Sequence, residues 1–427
     1  MNQAIASQLK NLSNSDILPW DNFQPQWKAK INSALTSPPS YFISPHNTDA
    51  LATTLKLANE HNLTVMPCGS GSKLNWGGVR KNIQLVISTE KLNRIIEHAA
   101  DDLTVTVEAG VKLASLQETL KEKGQFLPLD PTYSHDATLG GIVATADAGS
   151  WRQKYGGVRD MLLGISFIRA DGEIAKAGGR VVKNVAGYDL MKLFINSYGT
   201  LGILSQLTFR VYPLPEASTT ILLTGEKNAI ATAHQTLLQS SLTPTAADLL
   251  SASLINKLDL GKGIGLIVSF QSILASVQEQ ISTLETVAKK LNLNHSLYQN
   301  TDELNLWQTL QKTITIPVTD TAITCKIGIL PNAAVSFLDT LTENLGVIHG
   351  NSGLGRLYLN NETQIKKLRS QCEQNGGFLT ILTAPIPVKQ KIEPWGYQGN
   401  SLKIMQQLKQ KFDPKNILNP NLFVGVI

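Results

Sequence analysis

Cysteine is nearly missing from this chain. Cys68, Cys325 and Cys372 are the only three among 427 residues, and they stand far apart. An odd, scattered set supplies neither a disulfide framework nor the closely spaced thiolates of a zinc or iron–sulfur centre, so the three read as reduced, mostly buried thiols. Charge is sparse, at 17% of residues, and aromatic side chains make up 6%. The 38 basic and 33 acidic residues leave a surplus of +5. That surplus is mild, and no dense Lys/Arg run with interleaved aromatics occurs, which argues against a nucleic-acid surface. Long apolar runs are absent as well: the stretch around Ile264–Phe270 falls far short of the ~20 residues that span a bilayer. The opening Met1–Asp16 has no basic segment ahead of an apolar one, so no secretory leader is expected and the expected compartment is the cytoplasm.

What is present suits a globular enzyme. Hydrophobic residues make up 42% and the mean hydropathy is −0.04, while the length allows two domains or three at about 100–200 residues each. Glycine clusters between Gly69 and Gly202, and beyond Pro215 the chain turns to longer amphipathic segments. The two prolines of Val211-Tyr-Pro-Leu-Pro-Glu216 end a strand and resist a helix, which places a domain border there. The expected division is an N-terminal segment 1–37, a first domain 38–215 and a second domain 216–427, whose last part, about 400–427, returns to the first.

Apolar patterning predicts short buried strands at Leu63–Met66 and Ile83–Ile87, hairpins over 94–108 and 161–176, a helix over 112–123 ended by Gly124, and a long strand over 201–211. In the second domain, strands near Ile221, Ile264–Phe270, Ile323–Gly328 and Arg356–Leu359 alternate with helices near 228–239, 273–291, 333–344 and 363–374. The reading is an α+β fold whose second domain carries a mostly antiparallel sheet with helices on one face.

Three segments carry the chemistry. The first is Met66-Pro-Cys-Gly-Ser-Gly-Ser-Lys-Leu-Asn-Trp-Gly-Gly78. Gly69 and Gly71 permit close backbone approach, and successive amides with the Ser70 and Ser72 hydroxyls can converge on an anion such as a diphosphate. A dinucleotide fingerprint would need glycine where Leu74 stands, so a nicotinamide cofactor is disfavoured. The second is Pro128-Leu-Asp-Pro131 followed by Thr138-Leu-Gly-Gly-Ile-Val-Ala-Thr145, where Gly140 and Gly141 open a run fit for a helix N-terminus that favours negative charge. The third is Arg180–Leu190 followed by Ser197-Tyr-Gly-Thr-Leu-Gly-Ile203.

In this order and spacing, the blocks resemble the FAD-binding domain of the vanillyl-alcohol oxidase/p-cresol methylhydroxylase flavoprotein superfamily, in the branch holding glycolate oxidase and FAD-linked D-lactate dehydrogenases. The ending Lys411-Phe-Asp-Pro-Lys-Asn-Ile-Leu-Asn-Pro420 resembles the close of that branch. The resemblance implies a two-subdomain FAD-binding domain followed by an α+β cap. It further implies that Pro67, Cys68, Gly69, Ser70, Gly71 and Ser72 hold the FAD diphosphate. Asp130, Pro131, Thr138, Gly140, Gly141, Ala144 and Thr145 would run along the diphosphate, ribityl and adenosine side, and Gly202 and Ile203 would lie near the isoalloxazine ring. Arg180, Lys183 and Lys192 fall near the family's flavin wall. No histidine occurs between residues 66 and 78, so the FAD is expected to be non-covalent.

Active members of the branch carry a His-rich metal segment late in the chain. The comparable stretch here, Gly346–Arg356, has His349 alone, so no metal is expected and His349 reads as a satisfied strand-end residue. No catalytic base is singled out. This departure, with Glu393-Pro-Trp-Gly396 before a C-terminal helix, narrows the resemblance to the E-type FAD-binding subunits of glycolate oxidase. It implies a complex with a catalytic flavoprotein subunit and an iron–sulfur subunit, peripheral to the inner membrane only through partners, with Trp395 and Phe423 as candidate contact residues. Two other readings stay open: a self-sufficient FAD-dependent 2-hydroxy acid dehydrogenase, and a non-catalytic FAD-retaining assembly subunit.

Overall fold

A computed structural model describes residues 3–179, 188–316, 319 and 321–427. Arg180 and Lys183, singled out above, lie outside the described residues. The chain forms two compact units: Met1–Ala148, Gly157–Leu214 and Tyr397–Ile427 make the first, and Gly149–Gly156 with Pro215–Gly396 makes the second.

The first unit begins with a four-stranded sheet in the order Ser15–Pro19, Tyr41–Pro45, Leu85–Ser88, Val65–Cys68. Its first pair is antiparallel and the next two pairs are parallel. Parallel neighbours require a crossover, supplied by the helix Thr48–Glu60, whose N-cap Asn47 side chain accepts the Ala50 amide at 2.8 Å. Leu51, Leu55 and Ala58 of that helix are buried against Ile43, Val65, Leu85 and Ile87. Full burial of one such leucine stabilises the fold by about 1.5–3 kcal/mol. A second, antiparallel sheet follows in the order Ile95–Ala99, Thr104–Glu108, Ile203–Arg210, Leu162–Ile168, Ile174–Gly178. Both expected hairpins are there, one turning at Gly172 with φ +87°.

The C-terminal tail completes this unit. Phe412, at the end of the helix Leu402–Phe412, packs edge-on against Phe194, with ring centroids 5.7 Å apart. The chain then lies beside Val65, whose amide donates to Ile417 O at 2.7 Å and whose carbonyl accepts the Asn419 amide at 2.8 Å. Lys409 pins the tail. Its buried ammonium meets Asp413 and Leu418 O, each at 2.7 Å, and Thr200 O at 3.0 Å, so its three protons are all placed. Asp413 in turn accepts the amides of Ile417 and Leu418.

The second unit is built on one eight-stranded sheet in the order Asn294–Tyr298, Ala217–Gly225, Ile264–Ser272, Ala246–Leu250, Leu345–His349, Leu354–Leu359, Ile323–Gly328, Phe378–Thr383. Every neighbouring pair is antiparallel. Helices cover both faces, not one as the patterning suggested. Ile221, Leu223, Leu249 and Leu266 pack with Ala233, Leu237 and Leu284 of the helices Lys227–Gln239 and Leu274–Lys290. Leu222, Leu250, Ile267 and Val347 pack instead with Leu306, Leu310 and Ile314 of the helix Asn300–Thr315. The cause is in the strands themselves, since consecutive apolar residues such as Ile221-Leu-Leu223 load both sides of the pleat. The helix expected over 333–344 is only Ala334–Asp339, ended where the Thr340 hydroxyl turns back on Phe337 O at 2.7 Å.

Neither candidate contact residue is presented as a free anchor. Trp395 is buried within the second unit, its carbonyl accepting the Thr380 hydroxyl at 2.8 Å. In the first unit, Phe423 packs its ring 5.8 Å from that of Tyr198.

Because Asp413 balances a buried ammonium, Asp413→Ala leaves that charge unmatched. The expected loss of stability is about 3–5 kcal/mol, read as a lowered urea midpoint. The variant that also carries Lys409→Met is expected to lose less than the sum of the two single changes.

Candidate functional site

In the first unit, the glycine-rich loop after Val65–Cys68 and the helix Leu139–Thr145 border a cleft of about 770 Å³ including its open mouth. Its lining brings together Pro67, Cys68, Gly69, Ser70, Gly71, Ser72, Thr138, Gly140, Gly141, Ala144, Thr145, Gly202 and Ile203. Asp130 and Pro131 are not among the lining residues. The chain turns away just after them, where the amide and hydroxyl of Thr132 bond to Asp147 at 3.0 and 3.2 Å. The cleft also takes in Lys73, Arg80, Tyr198, Gly199 and Asn419, which the sequence reading did not assign to it. Asn419 lay within the recognised closing block, but nothing local says that a residue near the C-terminus reaches the first loop.

The loop and the helix touch where a side chain would not fit. A Cβ at Gly69 would stand 2.0 Å from Thr138 Oγ1, and one at Gly140 would stand 2.9 Å from the carbonyl oxygen of Ala109. Gly71 has φ +75°, and the indole of Trp27 packs on its outer side. Lys30 reinforces that side by donating to Ser70 O at 2.9 Å, while the Ser70 hydroxyl donates to Asp136 O. Among the described residues, the amides of Ser70, Gly71 and Ser72 donate to no protein acceptor. Three consecutive unclaimed amides around a residue of positive φ form a concavity that suits an anionic oxygen cluster.

The helix N-terminus contributes less than the sequence suggested. The amides of Leu139 and Gly140 are taken by Val111 O and Ala109 O, at 2.9 and 2.8 Å, and Ile142 bonds back to Thr138 O. Only Gly141 is loosely held, at 3.4 Å from its N-cap Thr138 Oγ1. The reason is tertiary: the helix starts against the backbone of residues 109–111, which needs donors of its own.

Charge in the cleft is uneven. Lys73 Nζ lies 2.7 Å from Asp147, with both side chains buried. Arg80 donates to Asn419 Oδ1 at 2.9 Å and to Leu74 O at 2.6 Å, and burial pulls its guanidinium down to about 10. Burial, with the Glu90 charge adding to it, pushes the Cys68 thiol up to about 12. That thiol stays protonated at neutral pH and is a poor nucleophile.

The second unit holds a separate cluster. Asp248, 1% exposed, receives the Nδ1–H of His349 at 2.8 Å on one oxygen and the Ser150 hydroxyl on the other. A carboxylate can only accept, so neutral His349 carries its proton on Nδ1 and leaves Nε2 as an acceptor. His349 is thus a strand-end residue with one ring nitrogen satisfied and the other available. On the next strands, Arg356 stands opposite both Val347 and Lys326, and Lys326 stands opposite Thr380.

Gly141 separates cofactor clash from fold damage. A Cβ there would meet only Thr138 Oγ1, at 3.3 Å, and Gly→Ala inside a helix favours the fold by up to about 1 kcal/mol. Gly141→Ala is therefore expected to keep or raise the Tm of the flavin-free protein while weakening FAD binding at least tenfold in a fluorescence titration. Gly71→Val, with its positive φ and the Trp27 ring 2.6 Å from the new Cβ, is expected to lower both.

Residues 39–178 match the family described as FAD binding domain, and residues 389–422 match FAD linked oxidases, C-terminal domain. The chain is 27% identical over 418 residues to glycolate oxidase subunit GlcD of Bacillus subtilis, covering 90% of this chain and 88% of that protein. It is 42% identical over 125 residues to glycolate oxidase subunit GlcE of Escherichia coli, covering 29% of this chain and 36% of that one. The solved structure of p-cresol methylhydroxylase with substrate bound superposes with a TM-score of 0.71 at 15% identity, covering 98% of this chain and 97% of that one. With those two domains in their chain order, the chain is an FAD-dependent oxidoreductase with the fold of p-cresol methylhydroxylase.

Proposed function

We propose that the cleft holds FAD without a covalent link and that the chain is the FAD-binding subunit of a glycolate oxidase or dehydrogenase. The complex takes glycolate to glyoxylate and includes a catalytic flavoprotein subunit and an iron–sulfur subunit. The carrying observation is the run of unclaimed amides at Ser70, Gly71 and Ser72, which suits a diphosphate, in the part of the chain that the FAD binding domain family covers. The likeness to both glycolate oxidase subunits supports the substrate and the complex. The protonated Cys68 thiol and the lack of a histidine in the loop support a non-covalent cofactor.

FAD, when bound, supplies a two-electron acceptor for the α-hydrogen of a hydroxy acid. The chain's own part is to hold and to orient. Ser70, Gly71 and Ser72 would grip the diphosphate, Thr138, Gly141, Ala144 and Thr145 would border the chain of the cofactor, and Gly202 and Ile203 would border its ring. Among the described residues no helix is long and apolar enough to cross a membrane.

A specific observation favours a second reading, in which the chain is a self-sufficient 2-hydroxy acid dehydrogenase. The observation is His349, whose ring is held through Nδ1 by the buried Asp248 carboxylate at 2.8 Å. Its Nε2 would take the hydroxyl proton.

The two readings separate in one experiment. The FAD-loaded chain, kept anaerobic and mixed with glycolate alone, is expected to keep its flavin spectrum and to bleach once the partner subunits are added. Bleaching by the isolated chain establishes the second reading. In that case His349→Gln is expected to slow bleaching by about 100- to 10,000-fold. A chain that retains no flavin after refolding with FAD would sink both.

A further inference from the structure

Among the described residues two cations line the cleft, and they differ in what neutralises them. Lys73 has a carboxylate partner, Asp147, at 2.7 Å. Arg80 is 4% exposed, and its two bonds go to neutral oxygens, Asn419 Oδ1 and Leu74 O. Among the described residues no carboxylate lies within ion-pair distance of it. Burial lowers its pKa only to about 10, so the guanidinium stays protonated near pH 7. Among the described residues its Nη2 has no protein acceptor, and it is not sealed from solvent.

A buried cation with no counter-charge is costly, which is why such charges are paired or matched by a ligand. Joining Leu74 O to Asn419 needs only a hydrogen-bond donor, and a neutral amide side chain would serve. A full charge at this place, beside the loop whose amides at Ser70, Gly71 and Ser72 are unclaimed, calls for an anion from outside the chain. Through Leu74 O, Arg80 grips the far end of that same loop.

We propose that Arg80 is the fixed counter-charge of the FAD diphosphate, acting with the loop amides. The inference concerns cofactor binding alone and goes beyond the choice of substrate and partners.

The test uses the flavin-free full chain titrated separately with FAD, ADP and riboflavin. ADP carries the diphosphate without the ring, and riboflavin carries the ring without phosphate. For Arg80→Gln the expected result is a loss of ADP and FAD affinity of about 10- to 100-fold, with riboflavin within threefold of the unaltered protein. Arg80→Lys, which keeps the charge, is expected to recover most of the ADP affinity. ADP binding to the unaltered chain should weaken as salt is raised. The proposal is overturned if Arg80→Gln binds ADP within threefold of the unaltered chain, or if ADP and riboflavin weaken together, which marks a deformed cleft. It is also overturned if Arg80→Lys binds ADP as poorly as Arg80→Gln. Should Arg80→Gln fail to fold, the lysine variant and the salt dependence decide: ADP affinity of the unaltered chain that ignores salt rejects the counter-charge.

Discussion

Everything at the glycine-rich cleft depends on bringing bare backbone close to a guest. Amides can grip an anion only if no side chain stands in front of them and no neighbouring carbonyl has already claimed them. Residues 69–72 meet the first condition because Gly69 lies against Thr138 with no room for a methyl group, and because Gly71 takes a backbone angle that other residues resist. They meet the second because the loop leaves its sheet at Cys68, whose carbonyl accepts the Thr89 amide, and then departs from the ladder. The helix beginning at Leu139 shows the opposite case. It is glycine-rich too, but residues 109–111 consume most of its first amides.

Holding such a loop still requires contacts from outside it. Trp27 and Lys30 support its outer side, while Arg80 ties its far end to Asn419. Asn419 in turn donates to Tyr198 O at 2.7 Å and takes its own place from Val65 O. Segments from the beginning, the middle and the end of the chain thus meet around one turn. The Lys409–Asp413 pair fixes the path of the tail, so a charge pair remote from the loop in sequence helps to decide the shape of the cleft.

The second unit follows a different logic. Its sheet is filled on both sides. Glu303 shows how strictly buried polar groups are satisfied elsewhere in the unit: it accepts the hydroxyls of Ser218, Thr220 and Ser269. Asp248 does the same on the strand Ala246–Leu250, where one oxygen meets the His349 ring and the other accepts the Ser150 hydroxyl.

Much of this protein was written locally. The glycine clusters, the Asp171-Gly172 hairpin and the block order from Met66 to Ile203 marked the family and the loop, because backbone freedom and turn chemistry belong to single residues and their neighbours. The polar edge strand Asn294–Tyr298 went unread, since it shows no strong apolar period and is a strand only by pairing. Helices on both faces of the second sheet likewise needed the sheet to exist first. Which cation lacks a counter-charge could not be local at all. Arg80 bonds to a residue 339 positions away, and whether a charge is paired depends on what the fold buries beside it, which composition and spacing do not specify.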